Sequence, residues 1–231
     1  MESFTPYLLG AGMAVLLGLD RTAALQIMIS RPLVAGPLVG LVLGNVMTGL
    51  TVGMLLELLW LCRMPVGASI PHDDTQTTVS ATTLAIALSG TVGPGVGLTL
   101  CALLVSLPLG KIGQVVERTV RSRNQRLPQA ALHALQQGDL PAVERLHLLG
   151  LGNFALGALT TYLVIVLIGR WLIVTGSPYF LDLLTRQADW IKLALILVGV
   201  ATLLQALNVR RAYALFFSGF LLTFLLLEVL R

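Results

Sequence analysis

One glutamate in a run of aliphatic residues is the first feature of this sequence with chemical potential. Glu57 stands in Met54-Leu55-Leu56-Glu57-Leu58-Leu59-Trp60, where a short carboxylate has no route to water. An acid in the middle of a lipid-embedded helix costs about 2.5–3.5 kcal/mol on insertion scales, so its presence needs a reason. It can accept hydrogen bonds from a polar solute or carry a proton. It can equally be a structural acid paired with Arg31 or Arg63. The second feature is the run Pro71-His72-Asp73-Asp74-Thr75-Gln76-Thr77-Thr78, the densest polar stretch outside a later basic section. Carboxylates, an amide and hydroxyls suit a hydroxyl-rich ligand such as a sugar, whose O–H groups must regain in the site the hydrogen bonds they lose from water. A solvated turn accounts for the same residues. His72, Asp73 and Asp74 are adjacent and cannot all face one ion, and no HExxH-type pair exists, so no metal site is assigned. There is no GxSxG, P-loop or CxxC pattern, and no catalytic residue or cofactor is assigned.

The elements that must position these groups are set by composition. Of 231 residues, 56% are hydrophobic and 11% charged, against about 25% charged in an ordinary soluble domain; mean hydropathy is +0.87. This excludes a cytosolic enzyme, a nucleic-acid-binding domain and a disulfide-stapled module. The net charge of +4 comes from Lys and Arg in a few polar gaps, which fits topological anchoring on the cytoplasmic side better than nucleic-acid binding. Cys62 and Cys101 lie in apolar runs and carry no redox signal. The start of the chain lacks a basic n-region and reads as a membrane segment, not a cleaved signal.

A spanning helix needs about 20 apolar residues. The blocks at 5–19, 33–43 and 47–61 fall short, and the second is interrupted by Gly36, Pro37 and Gly40. Such segments are expected to be broken or re-entrant, a backbone tolerated at membrane depth only beside protein or a water-filled cavity. A polar gap at 63–80 follows, then apolar stretches at 81–88 and 92–109 separated by a glycine-rich turn. The segments 33–61 and 84–109 echo each other weakly, as an internal repeat would. The section 111–147 carries Lys111, Arg118, Arg121, Arg123, Arg126 and Arg145 and is expected on the cytoplasmic side; Gly138-Asp139 should stop one short helix and cap the next. Segment 148–168 reads as a clean span, 169–190 as a loop with Trp171, Tyr179 and Trp190 at the headgroups, and 191–207 and 213–230 as further spans. Asn153 and Gln205 suit interhelical hydrogen bonding, His147 an interfacial cap, and His133 an exposed helix face. The fold expected is all-α: one polytopic membrane domain over 1–231, with broken or re-entrant helices and the site in 1–110, the basic loop at 111–147, and transmembrane helices in 148–231.

The residues Ser30-Arg31-Pro32-Leu33, Gly36-Pro37-Leu38-Val39-Gly40, Gly44-Asn45, Thr48-Gly49 and Leu56-Glu57-Leu58, followed by Gly67-Ala68, Pro71-His72-Asp73, Gly113-Gln114 and Arg211-Ala212-Tyr213, resemble the IIC subunit of the mannose/fructose/sorbose family of the bacterial sugar phosphotransferase system. The resemblance covers most of the chain. It implies a multi-pass permease subunit of the inner membrane that is not itself phosphorylated and is not an enzyme. A IID-like membrane subunit would complete the sugar pathway, in a homo- or hetero-oligomer. IIA and IIB phosphocarriers would supply the phosphate. By the match, Glu57 and Asp73 contact sugar hydroxyls, with His72, Asp74 and Gln76 as neighbours. Arg31 orients the broken helix or balances Glu57. The basic section would offer a docking surface to a IIB-like chain, although positive-inside anchoring explains it as well.

Three features depart from the family pattern. Asn45 stands for the usual Asp, His72 for the usual second Pro, and the pattern runs on through another apolar segment beyond Arg231. They keep open a second reading, a shortened relative serving as a non-transporting scaffold or sensor. A third, a metal-dependent hydrolase built on Glu57, His72, Asp73 and Asp74, has the geometric difficulty already given.

Overall fold

A computed structural model of the chain describes residues 4–61, 70–207 and 212–229. Arg63, Cys62, the Gly67-Ala68 motif and Arg211 lie outside the described residues. Among the described residues the structure is helical throughout, with no strand. Helix α1 (Thr5–Thr22) is followed by a hairpin of two short apolar helices, α2 (Pro32–Val42) and α3 (Val46–Trp60). Pro32 starts α2 at a position where a missing N–H leaves nothing unpaired. Gly44, at φ +82, makes the turn, and Asn45 caps α3 by accepting the Thr48 N–H at 3.1 Å. The two helices approach to backbone contact: a Cβ on Gly49 would strike the carbonyl of Gly36, and one on Gly53 the carbonyl of Pro32.

A second hairpin follows, α4 (Asp74–Ala87) and α6 (Val96–Leu109), joined through the single turn α5 (Ser89–Val92). The echo noted in the sequence falls on the first hairpin and on the last turn of α4 with α5 and α6. Amphipathic α7 (Lys111–Asn124) and short α8 (Leu127–Gln136) lead to α9 (Leu140–Arg186), and α10 (Ala188–Leu207) and α11 (Ala212–Val229) complete the described chain. Gly138, at φ +76, ends α8, and Asp139 accepts the Ala142 N–H at 3.0 Å to start α9, as the Gly-Asp pair implied.

Helix α4 is the centre. One apolar cluster gathers Leu17, Val39, Val79, Leu84, Leu98 and Tyr162 from α1, α2, α4, α6 and α9. Another gathers Val52, Leu56, Trp60, Ala81, Leu100 and Leu103 on its other side. Every residue from Thr75 to Ala85 is buried. The expectation of a polar gap through residue 80 is thus corrected: residues 74–80 are the first two turns of a buried helix. Three of its hydroxyls are absorbed by the helix itself. Thr77, Thr78 and Thr83 donate to the carbonyls of Asp73, Asp74 and Val79, four residues back, at 2.6–2.8 Å.

The loop expected at 169–190 is also corrected. Helix α9 runs straight through it, leaving only Gln187 before α10. Pro178 would free the Val174 carbonyl, but the Ser177 hydroxyl donates to that oxygen at 3.1 Å, so the break signalled by Gly176-Ser177-Pro178 does not occur. Among the described residues α9 is long and apolar enough to cross a membrane alone; α6 with the segment 111–136 passes the same test as a pair bent by 41°.

Candidate functional site

The sequence-predicted residues fall into two ionic groups, each built on one arginine. Arg31, the residue before α2, donates through Nε to Glu57 Oε1 at 3.0 Å and pairs with the same oxygen through Nη2. The other Glu57 oxygen accepts the Leu33 N–H at 3.2 Å. Glu57 therefore both neutralises Arg31 and satisfies a free donor in the first turn of α2. Its carboxylate can sit at membrane depth because both of its needs are met by the other arm of the hairpin.

The second group centres on Arg21, in the last turn of α1. Its Nη1 lies 3.1 Å from both Asp73 Oδ1 and Glu117 Oε2, and its Nε 3.2 Å from Asp74 Oδ1. Its Nη2 donates to the His72 carbonyl at 3.1 Å. Asp73 is the N-cap of α4 and accepts the Gln76 N–H at 2.9 Å; Asp74 accepts the Thr75 N–H at 3.0 Å. Glu117 is also held by Arg121, one turn on, at 2.6 Å and 2.9 Å. Gln76 donates its side-chain N–H to the Ala14 carbonyl at 2.8 Å. Gly113 packs directly on the Asp73 side chain, and Gln114 donates to the Ile70 carbonyl at 2.7 Å. The Gly113-Gln114 pair thus braces the approach to α4.

Asp73, Asp74, Gln76 and the His72 carbonyl are brought together around Arg21, while Glu57 stays with Arg31. The groups meet at a cleft of about 410 Å³ whose wall includes Asp20, Arg21, Ser30, Arg31, Asp74 and Thr75. Guanidinium donors and carboxylate acceptors alternate there beside the Thr75 hydroxyl, which donates to the Ser30 carbonyl at 3.0 Å. Such a surface offers a neutral polyhydroxylated solute both halves of each hydrogen bond.

Sequence reasoning missed Arg21, Glu117 and Asp20. Asp20 is 3% exposed and accepts the N–H groups of Ile27 and Ser30 at 2.9 and 3.0 Å. It holds a loop in which Leu25, Gln26 and Met28 adopt positive φ, an uncommon conformation for such side chains. The available signal was an Asp-Arg pair ending an apolar block, and an acid four residues before Arg121 in an otherwise basic stretch. The two departures from the family pattern have local explanations. Asn45 makes a cap that Asp makes equally well, and the His72 contact to Arg21 uses a backbone carbonyl that proline also possesses.

Short apolar helical hairpins packed around buried charge are the broken-helix arrangement found in membrane transporters. Residues 6–230 match the family model described as the sorbose-specific IIC component of the phosphotransferase system, and the chain belongs to that family. It is the membrane permease component of such a system, a transport subunit and not an enzyme. It is 28% identical over 191 residues to the mannose-specific EIIC component of Escherichia coli K12, covering 82% of this chain and 69% of that one. It is 29% identical over 192 residues to the fructose permease IIC component of Bacillus subtilis, covering 83% and 69%. The sorbose-specific EIIC component of Klebsiella pneumoniae is 27% identical, covering 83% and 70%. Two solved structures share the fold. One is a membrane protein, at TM-score 0.73 and 23% identity over 100% of this chain and 93% of that one. The other is the mannose transporter ManYZ in complex with microcin E492, at TM-score 0.63 and 24% identity over 96% and 87%.

Proposed function

We propose that this chain moves a hexose or related sugar across the bacterial inner membrane as a multi-pass IIC permease, delivering it for phosphorylation by a separate IIB subunit. The observation that carries this reading is the cleft between the two arginine groups. Its wall sets two arginines against two aspartates, with Ser30 and Thr75 beside them, among apolar side chains such as Met28 and Leu61, a charge-balanced surface that suits a neutral solute. In this reading Asp74 and Thr75 meet the sugar from the cleft wall. Asp73 and Gln76 stand directly behind Arg21, Glu57 behind Arg31, and His72 at the entry to α4. Arg31 keeps α2 and α3 in register around Glu57. Likeness to the mannose transporter ManYZ supports a IID-like membrane partner, and membership of the family supports IIA and IIB phosphocarriers. The scaffold reading drew on Asn45, His72 and a family pattern that runs on beyond Arg231; neither Asn45 nor His72 requires it.

The test is sugar uptake in cells carrying the chain with its system partners. Glu57→Gln and Asp73→Asn should each abolish uptake of mannose, fructose or sorbose, whichever the native chain transports, while membrane levels persist. Normal uptake by both variants would take these carboxylates out of the site. Purification of the tagged chain in mild detergent should bring a IID-like protein with it.

A further inference from the structure

Two cavities meet at Arg21. The cleft lies on one side of its guanidinium, with Asp74 in the wall. On the other side is a smaller cavity of about 20 Å³, whose wall includes Gly18, Arg21, Asp73, Gln76, Glu117 and Thr161. Arg21 belongs to both walls, and its three carboxylate partners are divided between them. The inner cavity also contains a polar atom the protein does not satisfy. Gln76 is 1% exposed, and its Nε2 must face Ala14, because a carbonyl can only accept. That fixes the orientation of the amide and leaves Oε1 without a donor from the protein. A volume of about 20 Å³ is room for one water, which such a polar site would hold.

We propose that Arg21 is a movable partition between the cleft and an inner hydroxyl-binding chamber. With Arg21 across the opening, the chamber takes one water, donating to Gln76 Oε1. When Arg21 swings away from Glu117 the spaces join, and a sugar hydroxyl takes that water's place. The sugar half of this inference rests on the transport reading; the partition half does not. Departure of Arg21 leaves each of its three carboxylate partners with at least one donor. Glu117 keeps both bonds from Arg121, Asp73 keeps the Gln76 N–H, and Asp74 keeps the Thr75 N–H. The retained donors lower the cost of moving Arg21, while Asp73 and Asp74, each left with one backbone N–H, make the position across the opening the stable one.

The test uses the full chain in lipid nanodiscs with Cys62→Ser and Cys101→Ala, and Thr161→Cys as a reporter on the inner wall. Its modification by methyl methanethiosulfonate is timed. Arg21→Ala should speed modification about tenfold, and Glu117→Gln, which keeps the shape but frees Arg21 on one side, about threefold. Mannose, fructose and sorbose are then added in turn; the sugar that the native chain takes up should slow the reporter in Arg21→Ala. An unchanged rate in both variants, with the protein still monodisperse, overturns the partition. Faster modification with no protection by the transported sugar overturns the hydroxyl subsite. Failure of the native chain to take up any sugar is read in the separate uptake assay. It removes the transport reading, and the hydroxyl subsite with it, while the modification rates still judge Arg21.

Discussion

Arg21 takes Asp73, Asp74 and Glu117 and Arg31 takes Glu57, and the division makes these acids unequal. Glu57 has one arginine and one backbone N–H, so Arg31→Ala leaves a carboxylate with a single weak donor in an apolar hairpin. Breaking a buried pair from one side costs about 3–5 kcal/mol. The expected result is a clear drop in the thermal unfolding midpoint in detergent. Exchanging the two residues, Arg31→Glu with Glu57→Arg, should not restore it, because an arginine at 57 cannot accept the Leu33 N–H. Full rescue by the exchange would show that charge alone matters. Asn45 offers a contrasting case at the same hairpin. Asn45→Asp should leave stability unchanged and Asn45→Ala should lower it by about 1 kcal/mol, since the side chain works as a cap.

At the scale of elements, the α2–α3 hairpin depends on glycine for proximity. In an exposed helix, replacing Gly by Ala is favourable by about 1 kcal/mol. Gly12 has open space around it, so Gly12→Ala should be neutral or stabilising. A Cβ at Gly49 would meet the Gly36 carbonyl, and Gly49→Ala should destabilise by about 1–3 kcal/mol through overpacking. The opposite signs, read as unfolding midpoints of the two variants, test whether backbone contact holds the hairpin; a stabilised Gly49→Ala would mean that the arms are free to separate. Helix α4 shows the complementary strategy. It is buried along its length yet rich in threonine, and the hydroxyls of Thr77, Thr78 and Thr83, which bond back to their own helix, suit a dry environment.

At the scale of the molecule, α9 is far longer than a bilayer requires. Its 47 residues extend about 70 Å at 1.5 Å per residue, against a hydrocarbon thickness of about 30 Å. Its N-terminal end, next to the polar α7 and α8, is the end expected to project beyond the lipid; α7 is tied to it through the Asn124–Gly150 and Asn153–Asn124 hydrogen bonds at 3.1 and 2.7 Å. By the positive-inside rule the excess of Lys and Arg in 111–147 predicts that this projection lies on the cytoplasmic side. A cysteine introduced at Gln137, in a background without native cysteines, should react with a membrane-impermeant thiol reagent in inside-out vesicles and stay unmodified in intact cells. Labelling from the outside would reverse the orientation.

How much of this could be read from the chain depends on the range of the interaction involved. Membrane residence, the helical class, the broken character of the first half, the cap at Asp139 and the suspect carboxylates all follow from local composition and from neighbours a few residues apart. The run of 74–80 looked like a loop because its side chains are polar, and 169–190 because it contains Gly, Ser and Pro. In both places a hydroxyl satisfying a backbone carbonyl within the same helix preserved the element, a choice that packing decides. Which arginine serves which acid was beyond local reading altogether. Arg21 and Glu117 are 96 residues apart, and Glu57 meets Arg31 only because four glycines let two helices close to backbone contact. Charge pairing in a low-dielectric interior is settled by a few ångströms of three-dimensional proximity, and that distance is a property of the folded bundle.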